Sequence, residues 1–381
     1  MNKKDWYLEQ LKNEDSSKSK FIEEPDEVWS GFFRETDTIK TYAPEKGTIF
    51  SAKKKRQSGE KLIENNFTPQ MVQLLRKIKN NGSDELKNID DSLKANRDFM
   101  IEAIHNSYGF AFKYADITLR MDEKVVLEAV KRWVHSLEYA SEKLKANRKF
   151  MIKAIKKDSS ALFYANETLK ADRELVLKAT KKDGSSLKYV HESLKADREV
   201  VIEAVKSWGH ALEYADDILK ADREVAIEAV KSNGSALYYV DETLKGDREV
   251  VLTAVKQDGW ALQYADDKLK ADREVVATAV EQSNSALKHA DHSLKADREF
   301  MLERVKKDGW ALDYADEALK SDREVVLEAV KQSGWALQCA DDALKADREV
   351  VFEAVSENSL ALGYASLHLR RDKELKKMAN F

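Results

Sequence analysis

The chain predicts an all-α solenoid of about twelve two-helix, 25-residue repeats with helical caps at both ends. Three observations carry this. Leucines recur every 25 residues, at 144, 169, 194, 219, 244, 269, 294, 319, 344 and 369. After each, an aspartate or asparagine opens a segment whose apolar residues fall at helical spacing. A turn residue, most often glycine, then follows at a constant phase.

One unit, Leu319 to Leu344, shows the logic. Asp322 is an N-cap, because its carboxylate can accept the free N–H groups of a first helical turn. Glu324 sits near the positive end of that helix and Lys331 near the negative end. Val325, Val326, Ala329 and Val330 form one apolar stripe. Gly334 is expected to end the helix in a left-handed conformation, as are Gly184, Gly209, Gly234, Gly259 and Gly309; Asn284 replaces glycine once. A second helix is predicted over Trp335 to Leu344, with Ala336, Leu337, Ala340 and Leu344 facing inward. Isolated helices under ~12–15 residues are marginal in water, so each unit must bury its stripe on its neighbours.

The ends fit the same scheme. Going backwards, Leu119 keeps the spacing and Leu93 misses it by one residue, inserted in the turn Asn106-Ser107-Tyr108-Gly109. Thr68-Pro69 reads as an N-cap followed by proline at the first helical position. Residues 68–92 are therefore an N-terminal cap unit, 93–368 the regular repeats and 369–381 a C-terminal cap helix opened by Asp372. Together 68–381 form the solenoid. Residues 1–67 carry no repeat and read as a partly ordered extension. Within it Trp29, Phe32 and Phe33 share one face of a short helical stretch, a candidate interaction segment.

Composition excludes several classes. Charged residues make up 35% of the chain, yet the net charge is only −4, and 43% hydrophobic residues suffice for an extended core. A single cysteine, Cys339, rules out an internal disulfide framework and fits a reducing compartment. No apolar run reaches signal-peptide or membrane-span length. An intracellular, cytoplasmic protein is the expectation, with export that needs no cleaved signal left open.

The motif ALxYAxxxLKADREVVLxAV, plainest at Ala211 to Val230 and Ala311 to Val330, resembles a bacterial and protist repeat family catalogued as domain of unknown function 4116. The resemblance covers about Leu93 to Leu369. It implies helical repeats and an interaction role, and it transfers no catalytic residue. Glu123 stands where arginine is usual, Val134 and Ser159 occupy the glycine position, and Gly246 replaces the link alanine.

Every candidate site residue also has a packing role open to it. A column of tyrosines (Tyr114, Tyr139, Tyr164, Tyr189, Tyr214, Tyr239, Tyr264, Tyr314, Tyr364) recurs almost without change, which favours packing over recognition. Positions flanking the turn glycine vary instead. They hold Trp133, Trp208, Trp260, Trp310 and Trp335, alternating with serine and histidine, and stacking should line them along one edge. Tryptophan on a variable edge is the residue a protein or peptide partner would grip. The alternative is that each indole covers the end of a neighbouring helix.

The recurrent Asp-Arg-Glu run is expected to be a salt-bridge ladder rather than a metal or acid–base site, each arginine reaching acidic residues of a neighbouring unit, for example Asp216 or Asp217. His289 and His292 stand three residues apart without a third ligand, so no metal, cofactor or catalytic constellation is assigned and no enzyme is expected. Residues 89–381 hold 48 basic and 54 acidic residues, which argues against nucleic acid. The second reading is a nucleic-acid-associated array that uses Lys53-Lys54-Lys55-Arg56 in the extension.

Overall fold

The computed structural model describes residues 66–380, among which there is no strand. Successive units stack on their sequence neighbours, as an all-α solenoid requires. The helix Pro69–Asn81, which opens the array, is capped by Thr68, whose hydroxyl accepts from the Met71 N–H at 3.3 Å. The last, Lys373–Met378, is capped by Asp372.

Each regular unit contains three helical pieces rather than the two expected. A ten-residue α-helix such as Arg323–Gln332 is followed by a 3₁₀ helix, Gly334–Cys339, and then by one α-turn, Asp342–Lys345. The predicted second helix is thus cut at Ala340, which is extended (φ −68°, ψ 157°). The cut has a cause in the next unit boundary. The Asp341 N–H donates to the Lys320 carbonyl of the preceding unit at 3.0 Å, leaving its own helix to do so. The Asp341 carboxylate then starts the short helix by accepting from the Ala343 N–H at 2.8 Å. The same inter-unit bond recurs, for example from Asp316 to Lys295 and from Asp291 to Lys270.

The core lies between the long helices and the 3₁₀ helices. Val325, Val326, Ala329, Val330, Ala336 and Leu337 are all fully buried. Valine and leucine supply the apolar area, and the alanines let backbones approach.

The turn glycines serve a different purpose from the one expected. Among the described glycines only Gly82 and Gly109 have positive φ. At Gly234 a Cβ would meet the Ala254 carbonyl oxygen of the next unit at 2.5 Å, and Gly184, Gly209, Gly259, Gly309 and Gly334 are at least as crowded. Glycine is needed here because one backbone lies against another, not because of a left-handed turn.

Glycine is replaced at Ser83, Val134, Ser159, Asn284 and Ser359, and at three of these positions the packing of the next layer changes. Ser83, Val134 and Asn284 stand at the glycine position, and the long helix that follows each carries Phe99-Met100, Phe150-Met151 or Phe300-Met301. All six side chains are fully buried. At Val134 and Asn284 the turn no longer abuts the next long helix, and the helices Arg273–Gln282 and Arg298–Lys307 stand apart. Larger side chains fill the wider layer, as close packing demands.

The arginine ladder to acids of a neighbouring unit is present, and the acids are those of the motif itself rather than Asp216 or Asp217. Arg198 binds Asp222 and Glu224, the same motif one unit on, and neither Asp216 nor Asp217. Arg298 repeats this, with Nε 2.7 Å from Asp322 and Nη2 2.5 Å from Glu324. The ladder runs unbroken from Arg148 to Arg348. It links N-terminal ends of adjacent long helices. At the opposite ends, Lys182 donates to the carbonyls of Ile155, Lys156 and Lys157 at 2.8–3.2 Å. The long helices are therefore parallel, N-termini on one edge of the array and C-termini on the other.

Candidate functional site

The edge that carries the long-helix C-termini and the 3₁₀ helices holds all five predicted tryptophans, but in two columns. Trp133 and Trp208 stand one residue before the turn position, at the end of a long helix. Other units place Asp158, Asp183, Asp258 or Asp308 there, whose carboxylates cap the 3₁₀ helix. The two indoles are half-buried and stacked: Trp133 on Phe110 at 4.5 Å, Trp208 on His210 at 5.6 Å. Trp260, Trp310 and Trp335 stand one residue after the glycine and project from the 3₁₀ helices.

Their surroundings separate these three further. Trp260 meets His289 edge-on at 5.4 Å, and Trp335 meets Tyr364 at 5.6 Å. For Trp310 there is no ring partner among the described residues, and it is 40% exposed. Trp260 is similarly open, at 41%. These two indoles present most to solvent. Trp29, Phe32, Phe33 and the run Lys53 to Arg56 lie outside the described residues.

The tyrosine column lies alongside, and its rings are half-buried. Where the turn of the preceding unit carries a ring, the tyrosine approaches it: His135 to Tyr164 at 5.9 Å, His210 to Tyr239 at 5.7 Å. Tyr114 donates to Asp84 at 2.6 Å, and Tyr164 shares a hydrogen bond with His135. Burial, with smaller contributions from nearby acids, pushes Tyr164 and Tyr214 up to about 12. The phenols therefore stay neutral at physiological pH. Cys339 takes a tyrosine's place in this column; burial and Asp313 push its thiol up to about 11, so it is a poor nucleophile.

Two exposed aromatics were not singled out in the sequence. Phe163 bridges Tyr164 and Tyr189 at 4.8 and 5.1 Å, and Tyr238 bridges Tyr239 and Tyr264 at 5.0 and 5.2 Å. They are 49% and 57% exposed. Lys170 and Lys245 lie over their faces, each about 6 Å away. The available signal was the variable residue just before the tyrosine, which is elsewhere Lys188, Glu213, Gln263 or Asp313.

The histidine pair does not converge. His289 lies under Trp260 with Nε2 buried and unpartnered, while His292 faces outward, 3.6 Å from Asp316. Among the described residues no three His, Cys, Asp or Glu side chains gather as a metal set would. No helix among them is long and apolar enough to cross a membrane.

A family model described as Domain of unknown function (DUF4116) matches the chain at residues 74–120, 106–145, 147–195, 197–245, 247–295, 297–345 and 347–379. From residue 147 on the matches begin every 50 residues, so one family domain spans two of the structural units. No curated protein and no solved structure matches the chain.

Proposed function

The chain belongs to the family described as Domain of unknown function (DUF4116), and from that premise we propose that it is a non-catalytic scaffold that binds a protein or peptide along the solenoid surface. The observation that carries this reading is the exposure of Trp310, which has no ring partner among the described residues, on an edge whose neighbouring framework residues Ala311 and Leu312 are fully buried. An indole has only two side-chain torsions to fix on binding and hides a large apolar area, which is why tryptophan is enriched among residues that dominate interface energies. Trp260, Phe163 and Tyr238 extend the same edge toward the N-terminus. Long stacked helices position these side chains on fixed backbones, as recognition by a repeat array requires. A reducing, intracellular setting fits the free Cys339.

Pull-down with the full chain tests this, comparing wild type with Trp310→Ala/Trp335→Ala. Capture of a defined protein that disappears in the double variant supports the reading. Capture that is indifferent to both substitutions overturns it. Salt-sensitive capture of RNA or DNA that depends on Lys53 to Arg56 would replace it with the nucleic-acid reading.

A further inference from the structure

Charge is not spread evenly along the array. Residues 120–182 contain sixteen lysines and arginines against nine aspartates and glutamates, whereas residues 183–381 contain 29 against 40. The near-neutral total conceals this segregation.

The structure gathers the excess on the long helices Glu123–Arg132, Arg148–Lys157 and Arg173–Lys182, which lie side by side. The middle helix has no acidic residue at all, and its cap is Asn147 where most other units use aspartate. Lys124, Arg132, Lys149, Lys156 and Lys157 are exposed, and none has a carboxylate within bridging distance among the described residues. Lys182 reaches across to the carbonyl end of the middle helix, which brings its ammonium beside Lys156 and Lys157. Lys156, Lys157 and Lys182 cluster at the C-terminal end of the middle helix, with Lys124 and Lys149 on the first turns of their helices, and like charges at the clustered end repel one another. The helix-end carbonyls that accept from Lys182 offset only part of that cost.

We propose that this face docks an acidic segment of a partner protein. The site is distinct from the Trp310 edge, and its partner need not be the same. A nucleic acid fits the face less well. A phosphodiester chain carries a charge at every step, and here Asp158 and Asp183 stand between the basic clusters, at the negative ends of the helix dipoles. Carboxylates on a peptide can be placed opposite Arg132, Lys149, Lys156 and Lys157 and left out opposite the two aspartates. The acidic remainder of the array also repels a long polyanion more than a short acidic stretch.

Anisotropy of a fluorescein-labelled oligoglutamate peptide with the full chain tests the proposal, with a single-stranded oligothymidylate as the competing probe. The expected result is binding of the peptide that weakens at least ~10-fold in Lys149→Glu/Lys156→Glu/Lys157→Glu and falls as salt rises. A control with the same charge change elsewhere, Lys256→Glu/Lys268→Glu/Lys306→Glu, should lose less than about 3-fold. The Trp310→Ala/Trp335→Ala variant should bind the peptide as wild type does, which separates this site from the aromatic edge. Absence of peptide binding, equal loss in the control, or tighter binding of the oligothymidylate on the same lysines would each overturn the proposal.

Discussion

Gly234 and Ala254 stand so close across a unit boundary that a Cβ on the glycine would lie 2.5 Å from the alanine's carbonyl oxygen. Gly234→Ala should therefore force the two layers apart and destabilise by about 1–3 kcal/mol, as overpacking does. Gly246 is the contrast. It has an ordinary helical conformation (φ −94°, ψ −4°) and nothing nearer than 3.8 Å to an added Cβ. Gly246→Ala should stabilise by about 0.4–1 kcal/mol through the unfolded state. Urea midpoints of the two variants check both signs.

The ladder aspartates give stability a pH dependence. Asp172, Asp197, Asp222, Asp247, Asp322 and Asp347 are held below the usual 3.8, first by the arginine of the preceding unit and then by cap N–H groups. A depressed carboxyl binds fewer protons folded than unfolded, so its contribution is complete above 3.8 and is lost as pH falls through the lower folded value. Denaturation midpoints should stay level from pH 7 to about 5 and then drop steeply below about 4. Arg223→Met, which frees Asp247 and Glu249, should flatten part of that drop.

Asp222 has two tasks, and substitutions separate them. Its carboxylate accepts from the N–H groups of Glu224 and Val225 and also receives Arg198. Asp222→Ala removes both and should cost about 0.5–2 kcal/mol from the cap alone, whereas Asp222→Asn keeps the cap and should lose less.

Arg304 occupies a position that is alanine in the neighbouring units and is 7% exposed; Nη2 lies 3.3 Å from Glu303, while Nε and Nη1 are buried without partners among the described residues. Its guanidinium lies 5.5 Å from the Phe300 ring, which partly offsets this. Arg304→Met keeps most of the stem volume and removes the unpaired nitrogens. We expect a gain of about 1 kcal/mol, readable as a higher thermal midpoint.

The tryptophans should divide by role. Trp133→Ala removes a stacked, half-buried indole and should cost about 2 kcal/mol. Trp310→Ala should stay within about 0.5 kcal/mol of wild type. Equal losses at the two sites would mean that Trp310 is a packing residue.

Much of the architecture was legible in the sequence because the repeat states it many times over. Asp322 as a cap and Val325, Val326, Ala329 and Val330 as an inward stripe needed only helical periodicity and hydrogen-bond chemistry. The 3₁₀ piece was not legible, since Ala336, Leu337, Ala340 and Leu344 fit a continuous helix by spacing alone. Asp341, a second cap residue in mid-segment, was the signal for the break. Glycine's role was misassigned because a missing Cβ serves a left-handed turn and a close approach equally well, and only the position of Ala354 distinguishes them at Gly334.

The aromatic edge was located from variability, but exposure at each position depends on the neighbouring unit. Trp335 is screened by Tyr364, while Trp310 has no such neighbour. The basic face escaped notice because a whole-array total averages it away.

The splayed layer at Asn284, filled by Phe300 and Met301, bears on how the array comes apart. In a linear stack each boundary transmits order only to the next, so the loosest boundary decides where cooperativity fails. Residues before Gln282 and after Arg298 should melt as two blocks, with amide protons on either side exchanging at separate rates. A partner that spans Trp260 and Trp310 would straddle that seam and fuse the blocks into one.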